Sequence, residues 1–212
     1  MKELTRRERE HLERENTILS KAEELFTNFG VENVSMDDLA REAEYTKRTL
    51  YRYFTCKEDL LFAVTLRGYE RLFESINVQI ELNKTGYEKI RLAYYAFYNF
   101  YKKYPQILLF INRLGTLKAN TSIEMPYRKK YLEFDRQLFD KLLQLFEEGQ
   151  SDHSIRTDVE ISKLTYSSIF TITGFFQLLS ASGSTYTKHF QLDLDDFVHF
   201  TIDMQLDALH NQ

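Results

Sequence analysis

The chain has 212 residues, 43% of them hydrophobic, and a net charge of −4 at pH 7. This apolar content supports a folded core and argues against a disordered chain, and the acidic balance excludes a uniformly basic surface, so any DNA binding must come from a local patch. One cysteine excludes internal disulfides and a cysteine-rich zinc site, and two prolines and seven glycines leave few helix breakers, so we expect an all-α protein.

The first three predicted helices are short and compactly arranged. Gly30 is a C-cap that ends the first helix, whose apolar residues recur at helical spacing: Ile18, Leu19, Ala22, Leu25, Phe26 and Phe29. Ser35 with the acids that follow it predicts a capping-box start for the second helix. Thr46 is the predicted N-cap of the third helix, Lys47–Phe54, which turns Leu50 and Phe54 inward.

A long fourth helix, running from about residue 57 to 82, leads from this three-helix head into a helical body. The body helices are predicted at residues 86–104, 106–117, 125–148, 158–182 and 194–209, which gives about nine helices in all. Residues 118–123 are predicted as a loop, 150–157 as a polar connector and 181–187 as a flexible link.

The segment around the third helix has an unusual charge pattern. From Tyr45 to Lys57 the sequence is YTKRTLYRYFTCK, with four bases and no acid. Lys47 and Tyr51, like Arg48 and Arg52, are four residues apart, so they project together on the face opposite the apolar residues. A basic and phenolic face on a helix held by an apolar seam is the arrangement that a DNA recognition helix needs.

The head resembles a known family. Residues 14–74, through ILSKAEELFTNFGVENVSMDDLAREA, TLYRYF and KEDLL, resemble the helix-turn-helix head of the TetR family of bacterial regulators. The resemblance implies a charged N-terminal extension at 1–13, a DNA-binding domain at 14–74 and a helical ligand-binding and dimerisation domain at 75–212. It implies phosphate contacts from Ser35, Tyr51, Tyr53 and Lys57, and base or backbone contacts from Thr46, Lys47, Arg48 and Arg52.

Two positions depart from the family pattern. Glu44 stands in the turn between helices two and three, where the family usually has glycine, and Arg48 stands where a small residue is common. If that turn requires a left-handed residue, Glu44 costs roughly 1–2 kcal/mol of strain. Glu44→Gly is then expected to raise stability without abolishing DNA binding.

The resemblance implies a ligand pocket among helices four to seven and a dimer formed by the last two helices. Aromatic residues crowd the fifth helix beyond what one buried face uses, and they serve either as core or as pocket walls for a hydrophobic or aromatic effector. The candidate pocket residues are Tyr94, Tyr98, Tyr101, Phe110, Arg113 and Tyr131. The candidate interface of a homodimer is the uncharged, apolar run of Ile169, Ile172, Phe175, Phe176 and Leu179.

The predicted function is a transcriptional regulator, by family habit a repressor, that binds a palindromic double-stranded operator as a dimer and is released by a small molecule. No catalytic motif stands out, the five histidines are scattered, and we expect no enzyme activity, cofactor or metal. Residues 164–187 are uncharged but too polar to span a membrane, and we expect a cytoplasmic protein. The alternative is a ligand-binding helical dimer whose head does not read DNA, an alternative that Glu44 and the acid-rich head keep open.

Overall fold

The computed structural model describes residues 5–80, 84–117 and 124–210, and within them the chain forms nine α-helices and no strand. The helices are α1 (Arg6–Phe29), α2 (Met36–Glu42), α3 (Lys47–Tyr53), α4 (Lys57–Ile80), α5 (Gly86–Lys103), α6 (Pro105–Leu117), α7 (Pro126–Ser151), α8 (Ile161–Phe190) and α9 (Leu194–Asp207). The predicted all-α fold is confirmed. The predicted last residues of α4 and the predicted loop at 118–123 lie outside the described residues.

By its packing the chain divides into two compact units. The described residues of the first unit fall within Met1–Gly68 and Arg113–Phe134, and those of the second within Tyr69–Asn112 and Asp135–Gln212. The described residues of 113–117 and 124–134 therefore pack with the N-terminal helices, although the sequence-based division assigns them to the body. Helices α4, α6 and α7 each contribute residues to both units.

The first unit is built on three N-terminal helices whose starts are capped by their own side chains. Thr5 and Ser35 form capping boxes at α1 and α2, and the Thr46 hydroxyl caps α3. Helix α1 begins at Arg6, so residues that the sequence predicts as a charged extension are its first turns. The core residues of these helices include Ile18, Ala22, Phe26, Leu39, Leu50 and Phe54.

The second unit has a core of aromatic rings between α5 and α8. The ring centroid of Phe176 lies 5.9 Å from that of Tyr98 and 5.3 Å from that of Tyr101. Where α5 begins, a Cβ on Gly86 would overlap the backbone of Gly149 on α7 and lie 2.9 Å from the Glu148 carbonyl carbon. The two glycines thus allow a helix crossing that no other residue permits at Gly86.

Two predicted helix ends are wrong. Helix α7 passes through Gly149 to Ser151, and α8 continues through the predicted flexible link to Phe190. Glycine in a helix interior costs only about 1 kcal/mol, which tertiary packing offsets. Gly149 lies under the Ile155 side chain and Gly183 is buried beside Leu179, so both glycines serve packing rather than termination.

No helix among the described residues is both long enough and apolar enough to cross a membrane.

Candidate nucleic-acid interface

Helix α3 is held by a buried apolar seam and turns its basic face outward. Leu50 and Phe54 are fully buried, and the Thr46 hydroxyl accepts a hydrogen bond of 3.1 Å from the Thr49 N–H. The exposed side chains of the helix are those of Lys47, Arg48, Tyr51 and Arg52. The structure therefore brings together on one surface the four residues that the sequence predicts as the outer face of a recognition helix.

The turn between α2 and α3 requires a left-handed residue. Glu44 has φ = 59°, its N–H donates to the Arg41 carbonyl at 3.1 Å, and the Tyr45 N–H donates to the Ala40 carbonyl at 2.9 Å. This pair of hydrogen bonds is a Schellman ending, in which glycine is the usual left-handed residue. The turn therefore requires a left-handed residue at position 44, as the sequence analysis supposed, and Glu44 is strained there.

Ser35 lies at the exposed start of α2 and is bound to Asp38. The Ser35 N–H and hydroxyl donate to the Asp38 carboxylate at 3.0 Å and 2.6 Å, and Arg41 donates to it at 2.7 Å. Hydrogen bonds from the Ser35 hydroxyl, from its backbone and from Arg41 lower the pKa of Asp38 to about 2. The Ser35 hydroxyl is thus oriented by α2 itself.

The bases of α3 are not equally available. The Lys47 ammonium lies 2.9 Å from the carboxylate of Asp37 on α2, and both side chains are more than half exposed. The Arg52 guanidinium lies over the Tyr53 ring, 5.4 Å from its centroid. Among the described residues neither arginine of α3 has an ion pair, and Arg48, which has no ring contact there either, is the more open of the two to an incoming acceptor.

Tyr53 differs from its neighbours on α3 because it is half-buried. Its ring centroid lies 4.5 Å from that of His11 on α1. The sequence predicts a phosphate contact for Tyr53; the structure places its ring against α1, where it supports α3.

Lys57 is placed differently from its prediction as a phosphate ligand. Its ammonium donates to the backbone carbonyls of Val31, Glu32 and Val34 at 2.7, 3.4 and 3.0 Å. A lysine has three donors, and these contacts use all of them. In this structure Lys57 fixes the segment that leads into Ser35, a supporting role that the spacing of the sequence does not reveal.

A buried carboxylate that the sequence analysis does not single out as a functional residue anchors α4 to α7. Asp59 is completely buried and accepts hydrogen bonds from the Thr55 N–H at 3.2 Å and from the Tyr127 N–H at 2.8 Å. The Tyr127 ring packs on Phe54 with centroids 5.3 Å apart. Asp59 and Tyr127 are 68 residues apart, so only the fold brings this support beneath the recognition helix.

The six residues predicted to line a ligand pocket fall in different units. Tyr94, Tyr98, Tyr101 and Phe110 belong to the second unit, and Arg113 and Tyr131 to the first. In the first unit Arg113 pairs with Glu32 at 2.9 Å, and the Tyr131 ring lies 5.5 Å from that of Phe62. The pocket therefore remains a prediction, and its members have different surroundings.

Two buried tyrosines of α5 direct their hydroxyls to different helices, Tyr98 to α9 and Tyr94 to α8. The Tyr98 hydroxyl makes a short hydrogen bond to Asp195 on α9, and burial with this carboxylate raises the pKa of the phenol. Tyr94 is also buried, and burial raises its pKa to about 12. Its hydroxyl has no hydrogen bond of normal geometry among the described residues, although a weaker hydrogen-bond interaction with Ser168 on α8 opposes the rise in its pKa. The buried Thr165 hydroxyl on α8 is likewise unsatisfied.

The residues predicted for the dimer interface face the interior of the second unit. Ile169, Ile172, Phe176 and Leu179 are buried, and Phe175 is half-buried. These residues have the spacing of the inner face of α8. The sequence could not distinguish the two roles, because a core face and an interface have the same apolar spacing. Exposed apolar side chains on the other side of these helices include Phe170 and Leu178 on α8, and Phe200 and Met204 on α9.

Comparison with known proteins adds a family match at the N-terminal helices. The model of bacterial regulatory proteins of the tetR family matches residues 18–64. The chain is 30% identical over 88 residues to the HTH-type transcriptional activator FasR of Mycolicibacterium smegmatis, a match that covers 42% of this chain and only 40% of that relative. It is 27% identical to the HTH-type transcriptional regulator SAB2452 of Staphylococcus aureus, over 93% of this chain and 95% of that protein.

The fold is similar to that of solved structures. A bacterial regulatory protein of the tetR family from Rhodococcus RHA1 superposes with a TM-score of 0.71 at 14% identity, over 94% of this chain and 98% of that one. At this identity the likeness extends to the fold alone. The family match and the relatives bear on the helices that carry the interface described above.

Proposed function

Because the chain belongs to the TetR family of transcriptional regulators, we propose that it binds a palindromic DNA operator as a homodimer, represses transcription, and is released by a small hydrophobic or aromatic ligand. As such a regulator it would act in the cytoplasm. The observation that carries the proposal is the outward face of α3, where Lys47, Arg48, Tyr51 and Arg52 lie together over a buried seam. The relatives named above are regulators by name, and none is named as an enzyme.

The proposed interface divides base reading from positioning. Arg48, which has no ion pair among the described residues, is suited to a bidentate contact with a guanine edge, and Tyr51 to a phosphate. To contact DNA, Lys47 must leave its ion pair with Asp37. That pair is exposed, and exposed ion pairs contribute little to stability and break at small cost. Thr46, at the start of α3, is proposed to fix the protein on the DNA backbone. Ser35, at the start of α2, is proposed to do the same by exchanging the Asp38 carboxylate for a phosphate.

The proposed dimer uses the apolar stripes that α8 and α9 leave exposed. Phe170 and Leu178 share one face of α8, and Phe200 and Met204 are four residues apart on α9, each side chain at least half exposed. Two copies of this surface related by a two-fold axis would form a four-helix interface. Sedimentation is expected to give a dimer for the wild type and a monomer for Phe170→Glu; a dimeric variant would contradict this interface.

The proposed effector would satisfy a buried polar group inside the second unit. The Tyr94 and Thr165 hydroxyls are buried without normal hydrogen bonds, and such groups are costly unless a partner arrives. A hydrophobic ligand with one polar atom would release DNA if it bound one arrangement of α4, α6 and α7 better than another. In a thermal-shift screen of apolar compounds, hits should stabilise the wild type more than Tyr94→Phe; equal shifts would exclude this contact.

The proposal is tested by selecting sites from a random duplex library with the full-length protein, without added ligand, near physiological salt. We expect enrichment of a palindrome whose half-sites are about one turn of DNA apart, and a steep loss of affinity with salt. Lys47→Ala/Arg48→Ala should weaken binding at least roughly tenfold, the loss expected for a good base contact. Lys102→Ala/Lys103→Ala, which removes two exposed charges from α5, is the matched control.

The same experiment separates the proposal from its alternative. Without enrichment at either moderate or low salt, the protein would be a ligand-binding dimer whose head does not read DNA. A reporter gene placed behind the enriched site then gives the sign of regulation. Reduced expression supports a repressor, and increased expression would assign the role that the name of the relative FasR states for that protein.

A further inference from the structure

We propose that the first turns of α1, residues 6–16, form a second DNA contact that grips the phosphate backbone beside the recognition helix through Arg7 and Arg14. The inference rests on the proposed function, because it extends that DNA surface. By composition this segment is balanced, with four arginines and four glutamates between Thr5 and Asn16. The arginines and glutamates differ in their position around the helix and in whether they already form ion pairs or hydrogen bonds, and these differences favour a DNA contact.

The segment is an ordered part of α1. At its start the Thr5 hydroxyl accepts from the Glu8 N–H, and the Glu8 carboxylate accepts from the Thr5 N–H at 2.8 Å and from its hydroxyl at 2.7 Å. This capping box satisfies helix-start groups that would otherwise need water. The arginines that follow are therefore held on a rigid helix.

This part of α1 is held beside the recognition helix. The His11 ring packs on Tyr53, in the last turn of α3, with centroids 4.5 Å apart, and the Arg52 guanidinium lies over the same Tyr53 ring. One turn after His11, Glu15 accepts a short hydrogen bond from the Tyr127 hydroxyl. All of these residues belong to the first unit. The segment is thus continuous with the proposed DNA surface.

Most of the negative charge on the segment is already occupied. Glu8 is used in the capping box, Glu10 pairs with Arg6 at 2.9 Å, and Glu15 is bound to Tyr127. Arg7 and Arg14 have no ion pair among the described residues, and both are exposed. A segment whose arginines and glutamates balance therefore presents two guanidinium groups that are free to bind an anionic partner.

The helical repeat puts these two arginines on the side that faces α3. Arg7 is four residues before His11 and Arg14 three after it, so both lie within about 60° of His11 around the helix. Arg9, two residues from His11, is turned about 200° away, and Arg6 and Glu13 also lie on that far side. Guanidinium groups match phosphate oxygens in a two-pronged geometry, which makes the duplex backbone the partner of this face.

The test compares two double variants of the full-length protein that remove equal charge from opposite sides of the same turns. Arg7→Ala/Arg14→Ala should weaken binding of the duplex enriched above about tenfold or more near 0.1 M salt. It should also reduce the slope of log affinity against log salt by about 1 for each phosphate that the variant no longer neutralises. Arg6→Ala/Arg9→Ala should stay within about twofold of wild type, with the slope of the wild type.

Thermal melts of both variants check that α1 remains folded, and Arg7→Gln/Arg14→Gln repeats the comparison with longer polar side chains if alanine lowers the melting temperature. Equal loss of affinity in the two double variants would show a general charge effect, and unchanged affinity in both would show that this face does not touch DNA; each overturns the inference while leaving the proposed function standing. Failure of the wild type to bind any duplex overturns both.

Discussion

The interiors of the two units are stabilised mainly by different kinds of contact. In the first, buried or half-buried polar groups fix the backbone around the recognition helix, as Asp59 does for Thr55 and Tyr127 and Lys57 does for three carbonyls. In the second, rings such as Tyr98, Tyr101 and Phe176 form the core between α5 and α8, and polar support, such as the 2.8 Å hydrogen bond from the Gly86 N–H to Asp152, lies at the glycine crossing of α5 and α7. Hydrogen bonds are directional, so they fix the orientation of the backbone that supports α3. Close packing of rings mainly fixes how the core of the second unit is filled.

The largest effect is expected at the glycine crossing of the second unit. Gly86→Ala places a methyl group on the backbone of Gly149, which cannot move as a flexible side chain would, so we expect a loss of about 3 kcal/mol or more of unfolding free energy. Gly115→Ala is the matched control, because no atom of the described residues lies within 4 Å of the position that its new Cβ would take. That variant should be stabilised by up to about 1 kcal/mol. Equal denaturant midpoints for the two variants would show that the crossing is not tight.

The next effect tests the polar anchor of the first unit. Asp59→Ala leaves the N–H groups of Thr55 and Tyr127 without their acceptor, at a cost of about 2 kcal/mol. Asp59→Asn, which keeps one acceptor oxygen, should lose less. Denaturant unfolding measures both, and hydrogen exchange at Tyr127 should speed up in the alanine variant. A stable Asp59→Ala with unchanged exchange would place the support of α3 elsewhere.

A smaller change of opposite sign is expected in the turn before α3. Glu44→Gly removes the side-chain strain at φ = 59° and should raise stability by about 1 kcal/mol, while duplex binding persists. Glu44→Ala removes the same charge but keeps the Cβ, so it should show no such gain. If both variants gain equally, the cost of Glu44 is electrostatic rather than conformational.

The smallest effect is a pH dependence at the start of α2. The pKa of Asp38 is lowered to about 2 in the folded protein, chiefly by the Ser35 hydroxyl. A lowered pKa stabilises the fold fully above the unfolded value, about 3.9, and this contribution is lost as the pH falls towards 2. Asp38→Asn and Ser35→Ala should both flatten the decline of the urea midpoint between about pH 4 and 2. An unchanged decline in either variant would contradict this role for Asp38.

Much of the N-terminal site follows from local sequence. The caps at Ser35 and Thr46, the buried seam of Leu50 and Phe54, and the basic outer face of α3 depend on residues within a few positions of one another. Capping and helical periodicity are short-range effects, so they are readable without a fold. The left-handed turn at Glu44 enters the sequence analysis only as a condition, from the glycine usual there in the family, and its φ of 59° meets that condition.

Only the tertiary structure decided which of these surfaces are supported and which face solvent. It brought Tyr127 beneath α3, set His11 against Tyr53, used the donors of Lys57 within the chain and turned the predicted dimer residues of α8 inward. It also carried α7 through Gly149 and α8 through Gly183, beyond the helix ends predicted at residues 148 and 182. An apolar stripe in the sequence predicts that a helix face is buried, but it does not identify the element that buries it. That element lies tens of residues away in the chain and is determined by tertiary packing.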